Sequence, residues 1–206
     1  MSDPDPDPDL AAGRALAEGV RRFQRDVFPA QAELFERLAA THRPTALFIG
    51  CSDARVVPEL ITQRRPGELF VIRTAGNLVP AYTPGADGVA ASIEYAVGVL
   101  GVTDVIVCGH SGCGAMTSLA LRHDLTGLPA VADWLRHADE GGVTDDVAAL
   151  VRHNIRTQLT NLVTHPSVAR ALDRRSLTLH GWVYDIRTGA VEELDPTTGR
   201  FTALAA

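Results

Sequence analysis

The chain has 206 residues, 46% of them hydrophobic and 21% charged, with a formal net charge of -6 at pH 7. That is enough apolar material for one compact domain and too little length for two, and the acidic balance excludes the basic footprint of a nucleic-acid binder. No apolar run approaches the roughly 18 residues that a membrane span needs, so no membrane partner is expected.

Residues 1–9 are an Asp/Pro tail, expected to be disordered because proline blocks helix and the aspartates repel. A single folded domain is expected over residues 10–206. The N-terminus lacks the apolar core of a secretory signal, which points to a cytoplasmic protein. From Leu10 to about Phe28, Leu16, Val20, Phe23 and Val27 recur at helical spacing, with Arg14, Arg21, Arg22 and Arg25 opposite. Two packings are open for this helix: on a partner subunit or on its own core. A second short helix is predicted over Pro29–Ala40, with Leu34, Phe35 and Leu38 inward.

Thr45–Gly50, Glu68–Arg73 and Asp104–Gly109 are short continuous apolar runs, suited to strands buried on both faces. Gly88–Leu100 and Cys113–Leu121 read as helices between and after them. This alternation predicts an α/β fold, a central largely parallel β-sheet flanked by helices with an N-terminal helical arm. Helices follow over Pro129–Ala138 and Asp145–Thr164, the latter with an apolar stripe of Val147, Leu150, Val151, Ile155, Leu159 and Leu162. Ser176–Ile186 alternates like a strand, Arg187–Gly189 is a turn, and Ala190–Leu194 is the returning strand.

The chemistry gathers at two strand ends. Cys51-Ser52-Asp53-Ala54-Arg55 follows the first strand, and His110-Ser111-Gly112-Cys113-Gly114 follows the third. Residues just past the carboxyl ends of parallel strands line the ligand crevice. If the two strands are neighbours, about 4.7–4.9 Å apart, then Cys51, His110 and Cys113 converge. Two thiolates and an imidazole form a natural zinc set, and three protein ligands leave the fourth tetrahedral position open, as in catalytic sites. Asp53 is close enough to reach the metal or its water, and the planar fork of Arg55 can hold that carboxylate bidentately.

Other chemistries fit less well. All 19 basic residues are arginine, which removes Schiff-base, Walker-type and kinase-type catalysis, each dependent on a lysine nitrogen. A cysteine-phosphatase loop is longer than the three residues separating Cys51 from Arg55. A Cys-His hydrolase leaves the second cysteine without a role. Cys108 lies two residues before His110, about 6.6 Å further in, and is read as core packing with redox sensing as the alternative.

These two motifs together resemble the β-class carbonic anhydrases, in their bacterial, open-type-like branch. The likeness runs from about Phe23 to Phe201 and takes in PELITQRRPGELFVIRTAGNLVP, SIEYAVGVLGV, PAVADWLRHAD and LTLHGWVYDIRTG. It implies one zinc ion per chain on Cys51, His110 and Cys113, with Asp53 and Arg55 as a catalytic dyad and Asp53 itself a metal ligand in closed forms. It implies reversible hydration of carbon dioxide to bicarbonate and a proton, a homodimer or higher homo-oligomer, and a substrate pocket with Phe70, Tyr95 and Gly114, partly from a partner chain. Open-type members carry glutamine nine residues before the first cysteine, where this chain has His42, and closed-type members carry tryptophan where it has Phe48. The alternatives are carbon disulfide or carbonyl sulfide hydrolysis on the same zinc, and a non-catalytic zinc protein.

Overall fold

The computed structural model describes residues 8–138 and 144–204. Residues 1–7 of the expected Asp/Pro tail lie outside them. The chain divides after His42 into an N-terminal helical unit and a C-terminal α/β unit.

In the first unit, α1 spans Pro8–Arg22 and α2 spans Ala32–Ala40. The apolar period predicts an unbroken helix to Phe28, but the chain widens into a π turn over Phe23–Val27 and tightens into a 3-10 turn over Phe28–Gln31. Pro29 explains the break: its ring removes a backbone donor, so the preceding α register cannot continue. Phe23, Phe28 and Phe35 gather across the bend, with ring centroids 5.4–6.4 Å apart. Leu34, Phe35 and Leu38 are half-buried as the pattern predicts. The stripe on α1 is not covered: Leu16 is 74% exposed and Val20 56%.

The second unit is built on a six-stranded mixed sheet. Its strands are β1 (Ala46–Cys51), β2 (Leu69–Thr74), β3 (Asp104–His110), β4 (Thr178–Tyr184), β5 (Val191–Leu194) and β6 (Phe201–Ala203), in the order β2-β1-β3-β4-β5-β6. The first four in that order are mutually parallel, and β5 and β6 join as antiparallel hairpins. Between the strands lie α3 (Pro58–Thr62), α4 (Gly88–Glu94, extended by a π turn over Tyr95–Leu100), α5 (Gly114–Ala120), α6 (Pro129–Leu135), α7 (Val147–Val163) and α8 (Pro166–Asp173).

β1 and β3 bury both faces, as continuous apolar runs predict, whereas β2, at the sheet edge, buries only Ile72 and leaves Arg73 exposed. Leu47, Ile49, Val105 and Val107 pack on one side with Ile93, Leu162 and Val168. Phe48, Ile106 and Cys108 pack on the other with Trp182 and Tyr184. Helix α7 approaches β4 closely because Gly181 has no side chain there: a Cβ would stand 2.7 Å from Ile155 Cγ2 and 2.9 Å from Leu159 Cδ1. Both hairpins turn on the same Asp-x-x-Thr-Gly pattern. Asp185 accepts from the amides of Arg187 and Thr188, and Asp195 from those of Thr197 and Thr198. Among the described residues no helix is long and apolar enough to cross a membrane.

One charged triad ties three strands together far from the strand carboxyl ends. The His180 ring on β4 meets Glu193 of β5 through Nδ1 at 2.7 Å and Asp104 of β3 through Nε2 at 3.0 Å. Burial disfavours the imidazolium, but the two carboxylates outweigh it and raise the His180 pKa. A folded pKa above the unfolded value means stability that is complete below the unfolded pKa, near 6.5, and lost as pH rises through the folded one. His180→Gln is therefore expected to lower the melting temperature more at pH 6 than at pH 9, as read by thermal denaturation of both proteins across that range.

Candidate metal centre

Adjacent parallel strands β1 and β3 deliver the two motifs to one edge of the sheet. Gly50 stands opposite Cys108, which places Cys51 level with Gly109 and one step from His110. The Cys51 and Cys113 sulfurs and a His110 ring nitrogen all lie within 4.8 Å of one another, and all three residues are buried. The loop between His110 and Cys113 turns through Gly112, whose φ of +63° favours glycine.

The tautomer of His110 is set locally. Its Nδ1 lies 3.0 Å from the Ser111 carbonyl, an acceptor, so Nδ1 carries the hydrogen and Nε2 presents its lone pair to the sulfurs. Nε2 is buried without a hydrogen-bond partner. A buried polar atom left without a partner is rare and calls for an unseen ligand or ion. Charge points the same way. A hydrogen bond from Cys113, opposed by burial, lowers the Cys51 pKa. The same bond, together with burial, pushes the Cys113 thiol up. Burial opposes the charged form of His110, but the Cys51 thiolate outweighs it and the imidazole pKa rises. Without an ion the cluster thus holds protons between two sulfurs and a ring, which a divalent cation would displace on binding. The donor set fits zinc.

Asp53 sits beside this cluster, with Oδ2 3.8 Å from His110 Nε2. Arg55 grips it with a fork: Nε donates to Oδ1 at 2.9 Å, and a terminal nitrogen donates to Oδ2 at 2.6 Å. The Arg55 amide adds a third bond to Oδ1 at 3.0 Å. These bonds hold the Asp53 carboxyl well below the usual carboxylate range. The same guanidinium reaches the Gly112 carbonyl at 3.3 Å, linking the two motif loops.

The sequence reading missed Arg73, at the carboxyl end of β2. Its guanidinium donates to three carbonyls of the first loop, Cys51 at 3.1 Å, Asp53 at 2.6 Å and Val56 at 2.9 Å. Its only sequence signal is a cation closing an otherwise apolar strand.

Comparison with known proteins agrees with this geometry. The family model described as carbonic anhydrase matches residues 46–191. The chain is 55% identical to a carbonic anhydrase of Pseudomonas aeruginosa, over 93% of this chain and 92% of that one. It superposes on the β-carbonic anhydrase CcaA with a TM-score of 0.87 at 41% identity, covering 93% of this chain and 99% of that one. The chain belongs to the β-class carbonic anhydrases. It also superposes on a structure from a study of two tetrameric β-carbonic anhydrases of Sordaria macrospora, with a TM-score of 0.70 at 30% identity, over 95% of this chain and 98% of that one.

Of the other residues that the carbonic anhydrase pattern implies, Gly114 lies at the rim of the cluster and Phe70 and Tyr95 lie apart from it. Gly114 opens α5 and is exposed next to Cys113. Phe70 and Tyr95 pair with ring centroids 6.0 Å apart. Phe70 stands opposite Leu47, whereas Thr74 stands opposite Cys51, so the aromatic pair lies roughly 13 Å along the strand from the level of the sulfur. His42 is exposed at the end of the N-terminal unit.

Cys108 is fully buried, and burial pushes its thiol up to about 12. That supports the core-packing reading over redox sensing. In native protein Cys108 is expected to resist alkylation, and Cys108→Ala to retain the full metal content. Mass spectrometry after labelling with and without denaturant, alongside elemental analysis, checks both.

Proposed function

We propose that this carbonic anhydrase hydrates carbon dioxide reversibly to bicarbonate and a proton, using one zinc ion held by Cys51, His110 and Cys113. The observation that carries the reading is the meeting of two sulfurs with a partnerless imidazole nitrogen, beside a carboxylate already gripped by an arginine. Zinc, when bound, supplies Lewis acidity that brings the pKa of a water from 15.7 to about 7 in the three-histidine carbonic anhydrase case.

The protein's own groups do the rest. The Arg55 fork keeps Asp53 ionised and aimed, so that its oxygens accept a hydrogen from an attacking water and orient it. The paired state of the dyad favours Asp53 as an orienting base over Asp53 as a resting ligand. Arg55 and the amides of the Gly112–Gly114 loop are placed to stabilise the charge that develops on bicarbonate. His42, standing where open-type relatives carry glutamine, is assigned to bicarbonate or proton exchange on the family pattern. Cys51→Ala is expected to abolish both zinc content and activity. Asp53→Asn is expected to keep zinc and lose about a hundredfold or more in kcat. Stopped-flow hydration assays beside metal analysis check this, and parental turnover in the Asp53 variant would remove its assigned role.

We propose further that the active form is a homo-oligomer, a homodimer or larger. Three observations support this: the study of tetrameric relatives from Sordaria macrospora, the uncovered stripe on α1, and an aromatic pair too far along the strand to line its own chain's metal centre. Leu16→Glu with Val20→Glu is expected to lower the molecular mass in light scattering and to reduce kcat while zinc is retained.

A further inference from the structure

The sheet edge that carries the two motif loops also carries a third. His110 stands opposite Tyr184 across β3 and β4, so the turn after β4 emerges beside the loop that holds Cys113. Two bonds join them. The Ser111 amide donates to the Tyr184 carbonyl at 2.9 Å, and the Ile186 amide donates to Ser111 Oγ at 2.9 Å. The turn is closed twice on itself: the Asp185 amide donates to the Ala190 carbonyl at 2.8 Å, and the Gly189 amide to the Asp185 carbonyl at 2.9 Å. Arg187 therefore stands on a backbone with little freedom.

A cavity of about 530 Å³ lies between these loops, with Arg55, Ser111 and Gly112 on one side and Asp185, Arg187 and Thr188 on the other. Both guanidiniums keep open donors. Arg55 commits Nε and Nη2 to Asp53 and the Gly112 carbonyl, which leaves both N–H groups of Nη1 without a partner, and its side chain is 56% exposed. Arg187 is exposed, and among the described residues its guanidinium meets no carboxylate or carbonyl. Asp185 lines the same cavity, but its Oδ1 is committed to its own turn. It accepts from the Arg187 amide at 3.0 Å, the Thr188 amide at 2.8 Å and the Thr188 hydroxyl at 2.9 Å. A guanidinium offers planar paired donors, the match for a small planar oxyanion. The need for such a place is electrostatic: with a net charge of -6 the chain as a whole repels anions, so an anion reaching the centre needs local positive charge.

We propose that Arg187 is a binding residue for bicarbonate: together with the open face of Arg55 it holds the anion in this cavity, between the metal centre and solvent, as it leaves or enters. The inference rests on the reading of the protein as an enzyme that forms bicarbonate. Arg55 then serves two neighbours, Asp53 through one edge of its guanidinium and the anion through Nη1, and Arg187 supplies the second cation that Asp53 does not neutralise.

The test uses the full zinc-loaded protein with sodium bicarbonate as the probe, at constant ionic strength. An arginine-selective dicarbonyl reagent, with labelled sites read by mass spectrometry, is expected to modify Arg187 several-fold more slowly when bicarbonate is present, measured relative to Arg174. Arg174 follows α8 and precedes β4, at the opposite edge of the sheet, and serves as the internal reference. Arg187→Gln is expected to raise the KM for bicarbonate and the inhibition constant of nitrate together, by up to about fivefold, the worth of one exposed ion pair. Arg174→Gln, with the same loss of charge, is expected to leave both at the parental value. Equal labelling of Arg187 with and without bicarbonate, or parental KM and nitrate inhibition in Arg187→Gln, would overturn the proposal. Absence of carbon dioxide hydration by the unaltered zinc-loaded protein would instead bring down the enzymatic reading, and this inference with it.

Discussion

Parallel strands that lie side by side end on the same edge of a sheet, and that constraint makes the centre possible here. β1 and β3 are neighbours, offset so that Cys51 comes within one residue of the level of His110. Neither loop holds a full ligand set alone. The tight turn at Gly112 brings Cys113 back toward its own strand, and the burial of β1 and β3 on both faces fixes where the two loops start. Loss of register by one residue would turn Cys51 to the opposite face of the sheet.

The electrostatics follow from that placement. Two thiols and an imidazole buried together cannot all take their preferred charge: the bond between the sulfurs favours a single thiolate, and that charge raises the pKa of the ring. A divalent ion relieves this conflict by replacing protons with bonds. Asp53 stands outside the conflict because Arg55 has already claimed it. The pairing keeps a negative carboxylate next to the Cys51, His110 and Cys113 cluster.

Legibility in the sequence tracked burial and periodicity. β1, β2 and β3 were readable because apolar runs bounded by Gly, Pro and polar residues have few other uses. The cluster of the candidate site was readable because Cys, His, Asp and Arg gather at the ends of those runs. Strand order was not readable: nothing local in Thr45–Gly50 says that it pairs with Asp104–Gly109, so convergence could only be conditional. The short helices α3 and α8 were missed because five and eight residues give too little period to detect, although each has proline at its first turn. Arg73 was missed because its work is done through backbone carbonyls, which leave no complementary side chain to pair it with.

That last feature bears on which substitutions this loop can take. The Cys51–Val56 loop is anchored by a guanidinium on three of its carbonyls as well as by the buried side chain of Val56. Every residue type has a carbonyl, so the grip of Arg73 does not itself depend on which side chains its three partners carry, and the exposed Ser52 and Ala54 are the loop positions freest to vary without loosening it.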